Sequence, residues 1–402
     1  MKVLTRTIWI LSLISLFTDT ASEMLYPVMP LYLESIGFSI VLIGILEGVA
    51  EATTGLSKGY FGKLSDHTGR RVPFVQLGYT LSALSKPLMA AFAYPLWVFL
   101  VRTIDRLGKG LRTGARDAIL SDEATPATKG KVFGFHRSMD TLGAVLGPLL
   151  ALLYLQWHPG DYRMLFLVAL MPGLVAIGCS LLLKDKKPEK IQSAKRISFF
   201  AFTGYWKSSP AVYRKLAGAL LLFTLFNSSD VFLLLKAKDG GMTDAAVITL
   251  YIFYNLIFAL AAFPLGILAD KWGLKKILLA GLLLFACVYA GMAANSNETY
   301  VYYGLFFLYG LYAAATEGIS KAWISNISDK KDTATAIGTF SGFQSICSML
   351  ASSLAGLTWF YFGAAVTFLL SSIMTVVSVI LLLRIPYKQT NLRSETTAEI
   401  RK

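Results

Sequence analysis

The sequence predicts an all-α membrane protein, with twelve transmembrane helices in two six-helix bundles, and three observations predict it. The 402 residues are 55% hydrophobic and only 15% charged, with a mean hydropathy of +0.58, beyond what a soluble domain of this size shows. Apolar runs of about 20 residues, each long enough to cross a bilayer core as a helix, recur along the whole chain; "MLFLVALMPGLVAIGCSLLL" and "ILLAGLLLFACVYAGMAA" are two of them. The only long interruption, from about Lys184 to Lys215, is rich in Lys and Ser and separates six spans from six.

Taken in order, the expected spans are residues 8–33, 42–61, 72–93, 95–118, 131–156 and 163–183, then 214–236, 244–266, 276–295, 300–322, 334–358 and 363–383. The first follows Lys2 and Arg6 but is too long for a signal peptide and contains Asp19 and Glu23, so it is expected to be retained. The organisation that results is an N-terminal bundle (1–184), a cytoplasmic linker (185–213), a C-terminal bundle (214–386) and a cytoplasmic tail (387–402). Within the linker, "ISFFAFTGYW" is aromatic enough to lie along the bilayer surface, a loosely ordered connection being the alternative.

An even number of spans puts both termini on one side. Segments on that side hold roughly two dozen Lys and Arg, against Arg163, Lys236 and Lys238 on the other, so both ends are expected in the cytoplasm, with the protein in the cytoplasmic membrane. The net charge of +14 then reflects this bias and contact with anionic lipid rather than nucleic-acid binding. Cys179, Cys287 and Cys347 sit singly within spans, which indicates neither a disulfide framework nor a metal site. No Gly-rich phosphate loop is present, so neither ATP nor any other cofactor is expected. Nothing points to an oligomer, and a monomer is expected.

The halves repeat. "GKLSDHTGRR" begins at Gly62 after the second span and "GILADKWGLKK" at Gly266 after the eighth, 204 residues later. Ser121-Asp122 and Ser328-Asp329 form a second echo. Duplication of a six-helix half is the sequence mark of a transporter whose halves rock about a central site.

On these residues the chain resembles the major facilitator superfamily, over its length up to about Pro386. Gly62, Asp66, Gly69, Arg70 and Arg71 match the superfamily's motif between the second and third helices, and Gly266, Asp270, Gly273, Lys275 and Lys276 match its degenerate copy. The resemblance implies that Asp66 faces the N-terminus of the eleventh helix near Thr333, where the helix dipole suits a carboxylate. It also implies that Arg70 pairs with an acid at the base of the fourth helix, Asp117 or Asp122, and that these contacts latch the halves. Gly143, Gly147 and Pro148 in the fifth span match the start of the superfamily's antiporter motif, although the glycine pair expected next is replaced by Leu149 to Leu152. Read as sequence alone, the same spacing lets two helices approach closely.

Charges inside the bilayer mark the candidate site. In "RTIDRLGKGLRTGARD", Arg102, Asp105, Arg106, Lys109, Arg112 and Arg116 fall within an arc of roughly 120° on a helix. A charge facing lipid at mid-span costs about 2.5–3.5 kcal/mol, so this stripe is expected to face a wet cavity or paired acids. Candidate partners are Asp19 and Glu23 in the first span, His136, Arg137 and Asp140 in the fifth, Asp230 in the seventh and Glu317 in the tenth. The resemblance implies that the first, fourth, seventh and tenth helices line the cavity. Plainer readings stand beside these: Arg112, Arg116 and Lys321 snorkelling to the cytoplasmic surface, Asp105 pairing within its own helix, His136 as a core residue.

The expected activity is therefore secondary active transport by alternating access, not enzymatic catalysis. The partners expected are a small organic solute, anionic or zwitterionic, and protons, with export by proton exchange ahead of proton-driven uptake of an organic anion. A multidrug or cation exporter and a lipid-modifying enzyme are the more distant alternatives.

Overall fold

The computed structural model describes residues 3–26, 28, 29, 32, 33, 36–38, 40–185, 198, 200–294 and 298–386, with only the backbone at 40–45, 47, 48, 244 and 245. Residues 186–197 and 199 of the Lys- and Ser-rich linker and the whole expected tail lie outside these residues. Among those described, the structure is helical throughout.

The N-terminal bundle comprises Arg6–Glu23, Ile40–Thr68, Val72–Ala91, Pro95–Asp122, Lys129–Trp157 and Tyr162–Ser180. The C-terminal bundle comprises Ala211–Phe226 with Asp230–Asp239, then Asp244–Trp272, Leu274–Ala294, Thr299–Ile327 and the stretch Thr333–Leu383, which contains the last two spans. Among the described residues six stretches are apolar and long enough to cross a membrane on composition alone, and all lie from the fifth span onward. The first four spans and the tenth are not among them, and the first, second and fourth carry several charges each.

Boundaries differ from expectation where backbone chemistry intervenes. The first helix stops at Glu23, not near residue 33, ahead of Pro27 and Pro30 in the sequence, which have no N–H to donate. The seventh span is broken: Asn227 to Ser229 are not helical, and Ser229 caps the second segment by accepting from the Val231 N–H. The eleventh and twelfth spans are interrupted at Gly363, whose φ of +83° suits only glycine. Several helices run past their expected ends on the side of the termini, the second to Thr68 and the tenth to Ile327.

The halves meet along two seams, the second span against the eleventh and the fifth against the eighth, both built on glycine. A Cβ on Gly62 would lie 2.5 Å from the Ala334 carbonyl oxygen, and one on Gly266 would lie 2.3 Å from that of Gly130. Gly134 against Ala262 and Gly338 against Lys58 repeat the relation, each at 2.5 Å from a carbonyl oxygen. Each contact in one seam has its counterpart 204 residues on in the other, so the repeat seen in sequence is an axis of the structure.

Between the bundles the short helix Gly204–Ser208 and the turn before it pack onto the second and eleventh spans. Phe202 is buried in the slot between Gly59 and Gly342, and Lys63 Nζ and Thr339 Oγ1 donate to the Ala201 and Phe202 carbonyls at 2.6 and 3.2 Å. Of the aromatic stretch, Phe202 and Tyr205 pack inward, Phe200 is exposed, and Ile197 and Phe199 lie outside the described residues. Large exposed aromatics gather where spans end, among them Tyr94, Trp157, Tyr300 and Phe360 to Phe362, as expected of rings at the membrane–water boundary.

Candidate functional site

A cavity of about 380 Å³ lies between the bundles, lined from both. The N-terminal wall is ionic. The first span presents Asp19 and Glu23, the fourth Lys109, Arg112 and Arg116, and the fifth Arg137 and Asp140. The C-terminal wall carries Asp230 on the seventh span, Tyr251 and Tyr254 on the eighth, and Tyr309, Tyr312 and Glu317 on the tenth.

A smaller cavity of about 40 Å³ sits within the N-terminal bundle, among the first, third and fourth spans, and takes the rest of the stripe: Arg102, Asp105 and Arg106. The stripe predicted from the 100° period is thus divided between two cavities. Asp19, Glu23, Lys109 and Arg112 line both, which makes the carboxylate pair a shared wall. Gly143 and Gly147 explain how that wall is placed. Their missing side chains let the fifth span reach the Leu16 carbonyl oxygen and the Met24 N–H group's nitrogen, 2.5 and 2.6 Å from where a Cβ would stand, directly behind Asp19 and Glu23.

Ion pairs form the floor towards the termini. Arg137 pairs with Asp140 of its own helix and with Glu317 across the cavity. Asp117 accepts from Arg116 at 3.0 Å and forms an ion pair with Lys321 of the other bundle at 2.8 Å. Arg116 also reaches Ser15 Oγ at 3.3 Å, and Ser15 donates to Asp140. Arg112 donates to Ser82 Oγ at 2.6 Å and stacks its guanidinium 4.6 Å from the Tyr79 ring centroid. The snorkelling reading is corrected here, because Arg112 and Arg116 are buried and engaged and Lys321 is committed to Asp117.

Asp105 pairs chiefly with Lys86 of the third span, at 3.0 Å, and only at 3.9 Å with Arg102 of its own helix. Lys86, which also donates to Ser22 at 3.2 Å, was missed in the sequence because it stands alone in an otherwise ordinary helix. His136 lies apart from both cavities, buried, with Nδ1 3.5 Å from Ser12 Oγ. Asp230 begins the second segment of the broken span and accepts hydrogen bonds from the Tyr254 and Tyr309 hydroxyls, the latter at 2.6 Å. The four tyrosines were also missed, since tyrosine in an apolar run reads as packing.

Beyond the floor, the two repeated motifs hold the halves together. Asp66 Oδ2 accepts from the Thr335 N–H at 2.7 Å and its hydroxyl at 2.9 Å. Asp270 accepts from the Gly130 and Lys131 N–H groups, both at 2.7 Å. Each carboxylate thus caps the opposite bundle's helix at its positive end. Gly69 (φ +64°) and Gly273 (φ +100°) turn the chain out of the helix just after each acid. The arginine partner differs from expectation. Arg71, not Arg70, bridges Asp66 at 3.2 Å and Asp122, and donates to the Lys330 carbonyl at 3.4 Å, while Arg70 is exposed. The left-handed turn at Gly69 rotates the first arginine outward and the second over the acid. Asp117 is occupied by Lys321 instead. Lys275 caps the end of the last span through the Leu383 and Ile385 carbonyls, at 2.9 and 2.7 Å.

A family profile described as the Major Facilitator Superfamily matches residues 11–243 and, again, 216–401. The chain belongs to the Major Facilitator Superfamily. It is therefore a multi-pass membrane transporter of small solutes and not an enzyme. An uncharacterized MFS-type transporter of Methanocaldococcus jannaschii is 32% identical over 95% of each chain. The multidrug resistance protein MdtH of Cronobacter sakazakii is 24% identical over 82% of this chain and 80% of its own. Among solved structures, the human organic anion transporter MFSD10 (TETRAN) superposes with a TM-score of 0.79 at 18% identity, covering 94% of this chain and 99% of its own. The E. coli fucose:proton symporter FucP gives 0.76 at 13%, covering 95% and 98%. At those identities the likeness is one of fold.

Proposed function

We propose that this superfamily member is a proton-coupled exporter of a small anionic or zwitterionic organic solute, working by alternating access between two rocking bundles, residues 1–184 and 214–386. The observation that carries it is the pair Asp19 and Glu23, standing between a solute-sized cavity and an arginine-rich pocket. Lys109 is a charged neighbour of both acids, and Arg106 and Arg102 of Glu23. A solute anion that engages Lys109 or the arginines withdraws positive charge from the carboxylates, which favours their protonation; release of the solute restores the charge and expels the proton. Solute occupancy and the protonation of these acids are thus linked, which is the requirement for proton coupling.

One relative, MdtH, is by name a multidrug resistance protein, which fits the export direction. The near balance of acids and bases around the cavity favours a zwitterion over a simple anion. In this reading the positively charged side is cytoplasmic and meets anionic lipid, and the structure, with its floor of ion pairs and capped helices on that side, is closed towards the cytoplasm.

The test is Asp19→Asn with Glu23→Gln in proteoliposomes. A pH gradient is expected to drive accumulation of a solute found by thermal-shift screening of the wild type at mildly acidic and mildly alkaline pH. The double variant is expected to keep binding and exchange but to lose gradient-driven flux. Unchanged gradient-driven flux would show that these acids do not couple protons.

A further inference from the structure

Like Asp19 and Glu23, Asp230 has no Lys or Arg among the described residues within ion-pair distance, and among the acids of the cavity it is set apart by tyrosine hydroxyls. Its charge is met by phenols alone, the Tyr254 and Tyr309 hydroxyls. The rings gather around it: the Tyr254 and Tyr309 centroids are 5.4 Å apart, and Tyr309 and Tyr312 are 5.3 Å apart. Tyr251 stands 5.5 Å from Tyr254 on the cavity side. Asn227, in the break of the seventh span, donates to the Tyr312 hydroxyl at 3.1 Å and leaves its buried Oδ1 without a hydrogen-bond partner.

These groups share one chemistry. Aromatic faces carry negative potential, a carboxylate carries a full negative charge, and an amide oxygen offers a further acceptor, so all three attract a cation. Two phenol donors hold the carboxylate in place yet leave its charge unneutralised. An inorganic ion would prefer a shell of oxygens with no rings, whereas an alkylated ammonium places its methyl groups against aromatic faces.

We propose that Asp230 with Tyr254, Tyr309, Tyr312 and Tyr251 is the subsite for the ammonium group of a zwitterionic solute, whose anionic end faces the basic groups of the opposite wall. This deepens the transporter reading of the same cavity and rests on it. Because Asp230 sits at the break between two helical segments, a cation bound there ties the solute to the bend of the seventh span.

The experiment is ligand-induced thermal stabilisation of the full chain in detergent, with tetramethylammonium chloride, sodium butyrate, 4-(trimethylammonio)butanoate and sodium chloride as probes. Tetramethylammonium is expected to stabilise the wild type and the zwitterion to bind more tightly than either half. Asp230→Asn is expected to weaken tetramethylammonium about tenfold, the scale of a desolvated cation contact, while leaving the butyrate response intact, which also shows that the variant is folded. Should Asp230→Asn not fold, Tyr309→Phe against Tyr309→Ala carries the test, only the second losing the response. The proposal is overturned if tetramethylammonium does nothing to the wild type, if its effect survives Asp230→Asn, or if sodium chloride reproduces it. A butyrate response that persists in those cases leaves the anion-exporter reading standing; a tetramethylammonium response without any butyrate response counts against that reading and supports the subsite.

Discussion

The two capped-helix contacts at the terminal end have the same origin and different strengths. Asp66 and Asp270 lie 204 residues apart, each behind a glycine that lets two backbones touch and each ahead of a left-handed glycine. There the likeness ends. Asp66 is clasped by Arg71, which also binds Asp122 and the Lys330 carbonyl, so three elements from both bundles share one guanidinium. Asp270 has only two backbone N–H groups, and Lys275, at the position matching Arg71, looks away to the end of the last span. A duplicated motif therefore fixes what geometry demands, the glycine and the acid, and leaves its basic residues free to diverge. At the terminal end the Asp66 contact is the more heavily tied and the Asp270 contact the lighter.

The largest effect should come from filling the glycine contacts. Gly266→Ala and Gly62→Ala each drive a Cβ into a carbonyl oxygen, at the upper end of the ~1–3 kcal/mol that overpacking costs. Spin-label distances across the terminal end should show closure lost, by about a hundredfold in population, with transport abolished. Asp66→Ala should come next, losing two hydrogen bonds and one partner of Arg71, about 3 kcal/mol. Asp270→Ala should cost about half that, measured by the same distances; equal effects would erase the asymmetry between seams. Arg71→Lys should cost about 1 kcal/mol, because an ammonium cannot span Asp66 and Asp122 at once. Arg70→Ala should change closure by no more than a few tenths of a kcal/mol. A larger effect from Arg70 than from Arg71 would reverse the assignment of the clasp.

What the sequence revealed follows from which signals are local. Hydropathy is additive along a helix, so the twelve spans could be counted, and the motif was legible because it occurs twice. The stripe from Arg102 to Arg116 was legible from its period, but a period cannot say that two cavities divide it, because that depends on neighbouring helices. Lys86 and Asp105 meet across two helices with nothing in either segment to announce it. The exchange of Arg70 for Arg71 turns on a single φ angle at Gly69. Tyrosines 251, 254, 309 and 312 were hidden by composition, since 19 tyrosines are spread through the chain and only folding brings four beside one acid.

Phe202 gives the second/eleventh seam one more property. Its ring fills a slot floored by Gly59 and Gly342, one from each bundle, and burying a phenylalanine is worth about 1.5–3 kcal/mol. Parting that seam would evict the ring, so Phe202 is a wedge whose removal the two glycines on either side would register as lost packing.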